Sequence, residues 1–291
     1  MSKRSKKRAR KIRKIVYWTC VVGLVLVILV CLGLIAHKVI TDVLSNKQYE
    51  ELGELKSSAS TDFTRPPVPT DPTGETETQP TEDVTEPSAT EPSEPDDGSP
   101  KILPQYQLMY DLNPDTVGWI ELPGTRIDYP VVQTPDDPNF YLRRNFYKEY
   151  ATCGTIYARA MCDVNKPSDN ITLYGHNMSN GTMFADLHKF EEKSWWMDNR
   201  YIYFDTLYEY HTYEVFAVFV GTADLTIGFA YHLFDDAESE AEYNMFVENC
   251  KRLSLYDTGI TPQPGDKLLT LSTCDKSQDE GRFVVVARRV V

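Results

Sequence analysis

Residues 16–36 run from Val16-Tyr17-Trp18 through Leu34-Ile35-Ala36 without a charge. As a helix this stretch would be about 32 Å long, enough to cross the hydrocarbon core of a bilayer. A secretory signal has a shorter apolar core and a small-residue cleavage site. Ile35-Ala36-His37-Lys38 is a poor site, so an uncleaved transmembrane helix is expected over 15–36. Residues 37–56 keep a helical pattern but turn polar, which predicts a stalk. From residue 101 the pattern becomes globular. A short helix is predicted over 102–112. Strands are predicted over 118–122, 127–132, 154–158, 171–174, 201–205, 213–221, 268–272 and 283–290. Helical spacing occurs over 182–190, around the tryptophans of 191–198, and over 237–253. About eight short strands, few helices and no strand–helix alternation predict a mostly β fold. The expected architecture is a closed or nearly closed barrel, with one longer helix before the last two strands. The run Val284-Val285-Val286-Ala287 suits a strand buried on both faces of a barrel wall.

Charge divides the chain further. Residues 3–14 hold nine Lys/Arg and no acid. A basic cluster beside a span stays in the cytoplasm by the positive-inside rule, so 1–14 is expected inside and 101–291 outside the cell. A nucleic-acid-binding arm explains these charges less well, because the adjacent span accounts for them. Residues 57–100 hold nine Pro, eleven acids, one Arg and a single aromatic, Phe63. Such a segment cannot bury enough apolar surface to offset chain entropy, so a disordered linker is expected there. As a flexible coil it would span roughly 35–40 Å and act as a spacer. The net charge of -13, with the basic tail set aside, leaves a strongly acidic outer portion and argues against nucleic acid as a partner. Cys20 and Cys31 lie in the span. Cys153, Cys162, Cys250 and Cys274 match no zinc spacing. Cys250 shares a helical face with Phe246 and Leu253 and reads as a core thiol. Cys153 and Cys162 flank a strand and are read as thiols in preference to a disulfide pair. The acids Asp235, Asp236, Glu238 and Glu240 lie at a helix start and do not form a calcium loop. No cofactor or metal is expected.

Three side chains carry candidate chemistry. Cys274 ends the apolar strand 268–272 and precedes a polar loop, a position that can face a cleft. Alone, it would more often be an ordinary buried thiol. His176 follows a strand, in a turn made by Gly175 and Asn177. His188, His211 and His232 have no nucleophile near them in sequence and read as ordinary polar side chains. Arg282 opens the last strand. A hairpin between the two strands would bring it to the same rim as Cys274. Arg282 would then favour the thiolate. No carboxylate is evidently placed to orient His176, and Asp275, though next to the nucleophile, receives no catalytic role.

These segments together resemble the sortases, membrane-anchored cysteine transpeptidases of Gram-positive bacteria, in their class B form. Thr270-Leu271-Ser272-Thr273-Cys274 resembles the TLxTC motif, Tyr174-Gly175-His176-Asn177 the histidine segment, and Arg282 the arginine of the final strand. Val117-Gly118-Trp119-Ile120, Pro123-Gly124-Thr125, Ile127-Asp128-Tyr129-Pro130-Val131-Val132-Gln133 and Gly181-Thr182-Met183-Phe184-Ala185-Asp186-Leu187 also resemble class B. So does the helical insert before the last two strands. The match covers most of 103–291. It implies that Cys274 attacks a threonine carbonyl in a C-terminal sorting signal, of an Asn-Pro-x-Thr type, on a secreted protein. It also implies His176 as acid and base, Arg282 at the oxyanion or the substrate backbone, and Thr273 shaping the rim beside the nucleophile. The acyl group would pass to an amine of a cell-wall precursor or a pilin. Two alternatives stay open: a secreted cysteine protease that hydrolyses the same thioester, and a non-catalytic anchored domain that binds surface proteins.

Overall fold

A computed structural model of the chain describes residues 3–59, 65, 100–224, 226–277 and 280–291. The disorder expected over 57–100 therefore lies outside the described residues, apart from 57–59, Arg65 and Pro100. Helix α1 (Lys3–Ala59) is continuous, and the chain divides within it into two compact units, 1–48 and 49–291. In the first, Val16, Leu24, Ile28 and Leu34 are all exposed. By length and composition the helix from Val16 onward could cross a membrane.

The second unit begins inside the segment read as a stalk. Tyr49 and Leu52, one turn apart on α1, are buried in its core. The Tyr49 hydroxyl donates to the Gly154 carbonyl at 2.7 Å. Lys56 reaches Asp128 at 2.8 Å and Glu121 at 3.2 Å. The expected body boundary at 101 is thus revised, since an aromatic and an aliphatic side chain on one helical face suffice to dock the end of α1. Arg65 is also held. Its guanidinium makes a two-toothed pair with Asp205 at 2.8 and 2.7 Å and lies 4.0 Å from the Tyr203 ring centre. The body therefore holds the chain both before the acidic segment, at Tyr49 and Leu52, and within it, at Arg65.

After α2 (Pro104–Leu112), eight strands follow: β1 (Thr116–Glu121), β2 (Asp128–Val132), β3 (Ile156–Ala158), β4 (Asn170–Tyr174), β5 (Tyr201–Thr206), β6 (Thr212–Thr222), β7 (Leu268–Cys274) and β8 (Gly281–Arg289). They close into a barrel in the order β1-β2-β3-β4-β7-β8-β6-β5. The β2–β3 and β4–β7 pairs are parallel; the others run antiparallel. The expected barrel is present. The β8 run explains the wall. Phe283, Val285 and Ala287 belong to the core shared with β1–β5. Val284 and Val286 pack on the other face with Phe216, Phe219 and α4 (Glu240–Leu253). Alternation along the strand therefore buries both faces.

Helix α4 docks through Tyr243, Phe246, Val247 and Cys250, at helical spacing. Its first turn is capped by Ser239, whose side chain accepts from the Glu242 N–H. Cys250 is fully buried there, as its spacing predicts. Cys153 and Cys162 are both buried thiols and are not joined to each other. The segment expected to be helical over 182–190 is instead a short 3-10 helix, Ala185–Glu191, followed by α3 (Lys193–Asp198).

Candidate active site

Two strand pairings assemble the site. The parallel β4–β7 ladder sets Tyr174 opposite Ser272. Carried two residues further, that register sets His176 beside Cys274. Three bonds hold this continuation. Gly175 N–H donates to the Ser272 carbonyl at 3.2 Å. The Thr273 hydroxyl donates to the Gly175 carbonyl at 2.8 Å. The Asn177 amide donates to the Cys274 carbonyl at 3.0 Å. The antiparallel β7–β8 ladder pairs Cys274 directly with Arg282. Directly opposed residues project to the same face, with Cβ atoms about 5 Å apart. Both ladders thus end at one rim, where His176, Thr273, Cys274 and Arg282 line a cleft of about 420 Å³.

Each side chain has a defined setting. Cys274 is exposed at the end of a strand whose other six residues are buried. His176 Nε2 lies 2.8 Å from the Leu142 carbonyl, in the 3-10 helix Phe140–Arg143. A carbonyl only accepts, so Nε2 carries the hydrogen. In the neutral ring the Nδ1 lone pair is then available to take a proton. Arg282 donates to the Gly281 carbonyl at 2.9 Å and meets Glu280 at 3.4 Å, leaving most of its five N–H donors for other partners. The Thr273 side chain is buried and its bond to Gly175 fastens the histidine turn, while the residue also lines the cleft. Asp275 accepts from the Ser277 N–H at 2.8 Å and from the Ser277 hydroxyl. It closes a turn in the loop after β7.

Around these residues the cleft is aromatic and partly charged. Burial raises the Tyr157 hydroxyl to about 12 and also raises Tyr174 and Tyr231, so these rings stay neutral. Tyr231 and Ser272 hydroxyls bond at 2.8 Å. Arg159 pairs with Asp235 at 2.9 Å. Burial opposes the Arg159 charge, but the bonds and charge of Asp235 outweigh it. Burial, then the positive charges of Arg159 and Arg282, hold the His232 imidazole below its ordinary value. His232 lines the cleft, which its sequence surroundings did not indicate. His188 also approaches the site, bonding to Asn177 at 3.0 Å. Among the described residues no cluster of His, Cys, Asp and Glu could hold a metal ion.

A sortase domain profile matches residues 120–290. The chain is 32% identical to sortase B of Listeria monocytogenes over 193 residues, covering 65% of this chain and 76% of that one. It resembles a crystal structure of sortase B from Bacillus anthracis, with 29% identity, a TM-score of 0.64, and coverage of 86% of this chain and 98% of that chain. It also resembles a Staphylococcus aureus sortase B–substrate complex, with 25% identity, a TM-score of 0.65, and coverage of 86% and 98%.

Proposed function

The chain belongs to the sortase family as a class B member, a cysteine transpeptidase of cell-wall protein anchoring, and on that premise we propose that Cys274, His176 and Arg282 carry the reaction. Family membership sets aside the non-catalytic alternative. The Cys274 thiolate adds to the threonine carbonyl of a sorting signal. The protonated His176 gives its proton to the amine as the carbon–nitrogen bond breaks, leaving a thioester. An incoming amine then loses a proton to His176 as its nitrogen bonds to the acyl carbon and the sulfur departs. Arg282 directs its remaining donors to the oxyanion that forms in each half-reaction. The acceptor is an amine of a peptidoglycan precursor or a pilin.

The observation that carries this reading is the convergence of the β4–β7 and β7–β8 ladders, which bring all three side chains to one cleft rim. The Leu142 carbonyl supports the role of His176, because it fixes the ring in the tautomer whose free lone pair can take a proton. We further propose that α1 anchors the enzyme in the membrane, with the basic residues 3–14 in the cytoplasm and the barrel outside.

Mass spectrometry of the detergent-solubilised chain tests the assignment. Candidate sorting peptides should leave an acyl adduct on Cys274, which a small amine discharges as an amide. Cys274→Ala should form no adduct. His176→Ala and Arg282→Ala should lose most activity while remaining folded. Discharge by water alone, with amines present, would make the enzyme a protease instead.

A further inference from the structure

We propose that His188 is a positioning residue for the acyl-transfer site, holding the Asn177 amide in the orientation that ties the His176 turn to the carbonyl of Cys274. The proposal rests on the assignment of Cys274 and His176 above. Asn177 Nδ2 lies 3.0 Å from the Cys274 carbonyl oxygen and 3.0 Å from His188 Nε2. The carbonyl accepts one of the two amide hydrogens. The second hydrogen meets Nε2, which must therefore accept it. His188 Nδ1 then carries the ring hydrogen and donates to Glu191 Oε1 at 2.7 Å. One arrangement satisfies all three contacts. With the amide reversed, Oδ1 would face the Cys274 carbonyl, acceptor against acceptor.

The ring is fixed from its face as well. It stacks on Phe283, with ring centres 4.4 Å apart and planes 27° apart. Phe283 follows Arg282 and pairs across the ladder with Thr273. One histidine thus braces the supports of all three reacting side chains: the turn after His176, the carbonyl of Cys274, and the strand residue beside Arg282. A histidine serving only as a helix-end partner for Glu191 would need neither the stack nor the amide contact.

The test uses the full chain in detergent and a sorting-signal peptide, with acylation followed by mass and by steady-state kinetics. His188→Phe keeps an aromatic ring on Phe283 but can neither accept from Asn177 nor donate to Glu191. Its kcat should fall about five- to tenfold, the worth of one oriented hydrogen bond. KM for the peptide should stay within about twofold, since the substrate contacts are intact. His188→Gln, whose amide oxygen can accept from Asn177, should recover most of the lost rate. Asn177→Asp, the same shape without donors, should fall at least as far as His188→Phe. Wild-type kcat in His188→Phe, or equal loss in the Phe and Gln variants, would overturn the proposal alone. If His188→Phe does not fold, unchanged kcat in Asn177→Asp overturns it. Absence of an acyl-enzyme in the wild type would overturn the assignment of Cys274, and this proposal with it.

Discussion

Replacing Thr273 by valine separates a fastening role from a substrate contact. The two side chains have nearly the same shape, so packing is retained and the hydroxyl alone is lost. That hydroxyl is buried, with the residue 2% exposed, and donates to the Gly175 carbonyl at 2.8 Å. Its removal deletes one buried bond and leaves a buried acceptor unpaired, a cost of about 1–2 kcal/mol. For a folded body of this size the melting temperature should fall by roughly 2–8 °C. The same bond holds the histidine turn against the cysteine strand, so the variant should also lose about tenfold in kcat through misplacement of His176. The peptide KM should be unchanged. Thr273→Ser keeps the hydroxyl and should restore both. Calorimetry and acylation kinetics on the same preparations read the two effects together. A Val variant with wild-type melting and a raised KM would refute the fastening account and return Thr273 to the substrate-facing rim.

Three further outcomes are expected. Arg65→Met leaves Asp205, whose side chain is 5% exposed, with the Tyr106 hydroxyl and the His211 N–H among the described residues. Stripping one partner from a buried pair should cost about 2–3 kcal/mol in urea unfolding, discounted from the fully buried case because Arg65 is partly exposed; a loss below about 0.5 kcal/mol would show that Arg65 is not held in solution. Burial, then Arg289, depresses the His211 imidazole, and His232 is depressed by burial and the two cleft arginines. Both contribute stability that is fully present above the ordinary imidazole value of about 6.5 and is lost as pH falls. Unfolding midpoints should therefore drop between about pH 7 and pH 5, and the double variant His211→Gln/His232→Gln should flatten that drop; an unchanged slope would contradict the account. Glu280 has φ of 53°, a conformation that costs an ordinary residue about 1 kcal/mol. Glu280→Gly should raise the melting temperature, and a decrease would mean that its contact with Arg282 outweighs the backbone strain.

The parts of the site that were legible in sequence are those encoded locally. The strand end before Cys274, the short return to Arg282, and the unbroken valine run of β8 each leave a mark within a few neighbouring residues. The parallel register that brings His176 to Cys274 leaves none, because β4 and β7 are far apart in the chain and their alignment is set by the barrel. The Leu142 carbonyl that orients His176 is a backbone group, invisible to any reading of side-chain types. The sequence around His188 and His232 does not mark them, because their relevant neighbours are Asn177 after β4, Phe283 on β8 and the arginines of the cleft wall. Two missed features did have a signal. Tyr49 and Leu52 form an apolar pair one turn apart in a polar helix, and Arg65 is the one basic residue in an acidic tract. The fold was more legible than the site because period-two burial repeats along each strand, while a site depends on single contacts between distant segments.

The docking of Tyr49, Leu52 and Arg65 changes the physics of the acidic segment. Its described ends both belong to the catalytic body. Arg65 is held at β5, and beyond Pro100 the Leu103 N–H donates to the Leu207 carbonyl just past the same strand. Both described ends of the intervening chain are thus bonded to one body. The length of that chain then enters the free energy only through a logarithm, with a doubling costing about 0.6 kcal/mol. Insertions and deletions there would be nearly neutral to folding, while its dense negative charge would travel with the enzyme as a permanent local field.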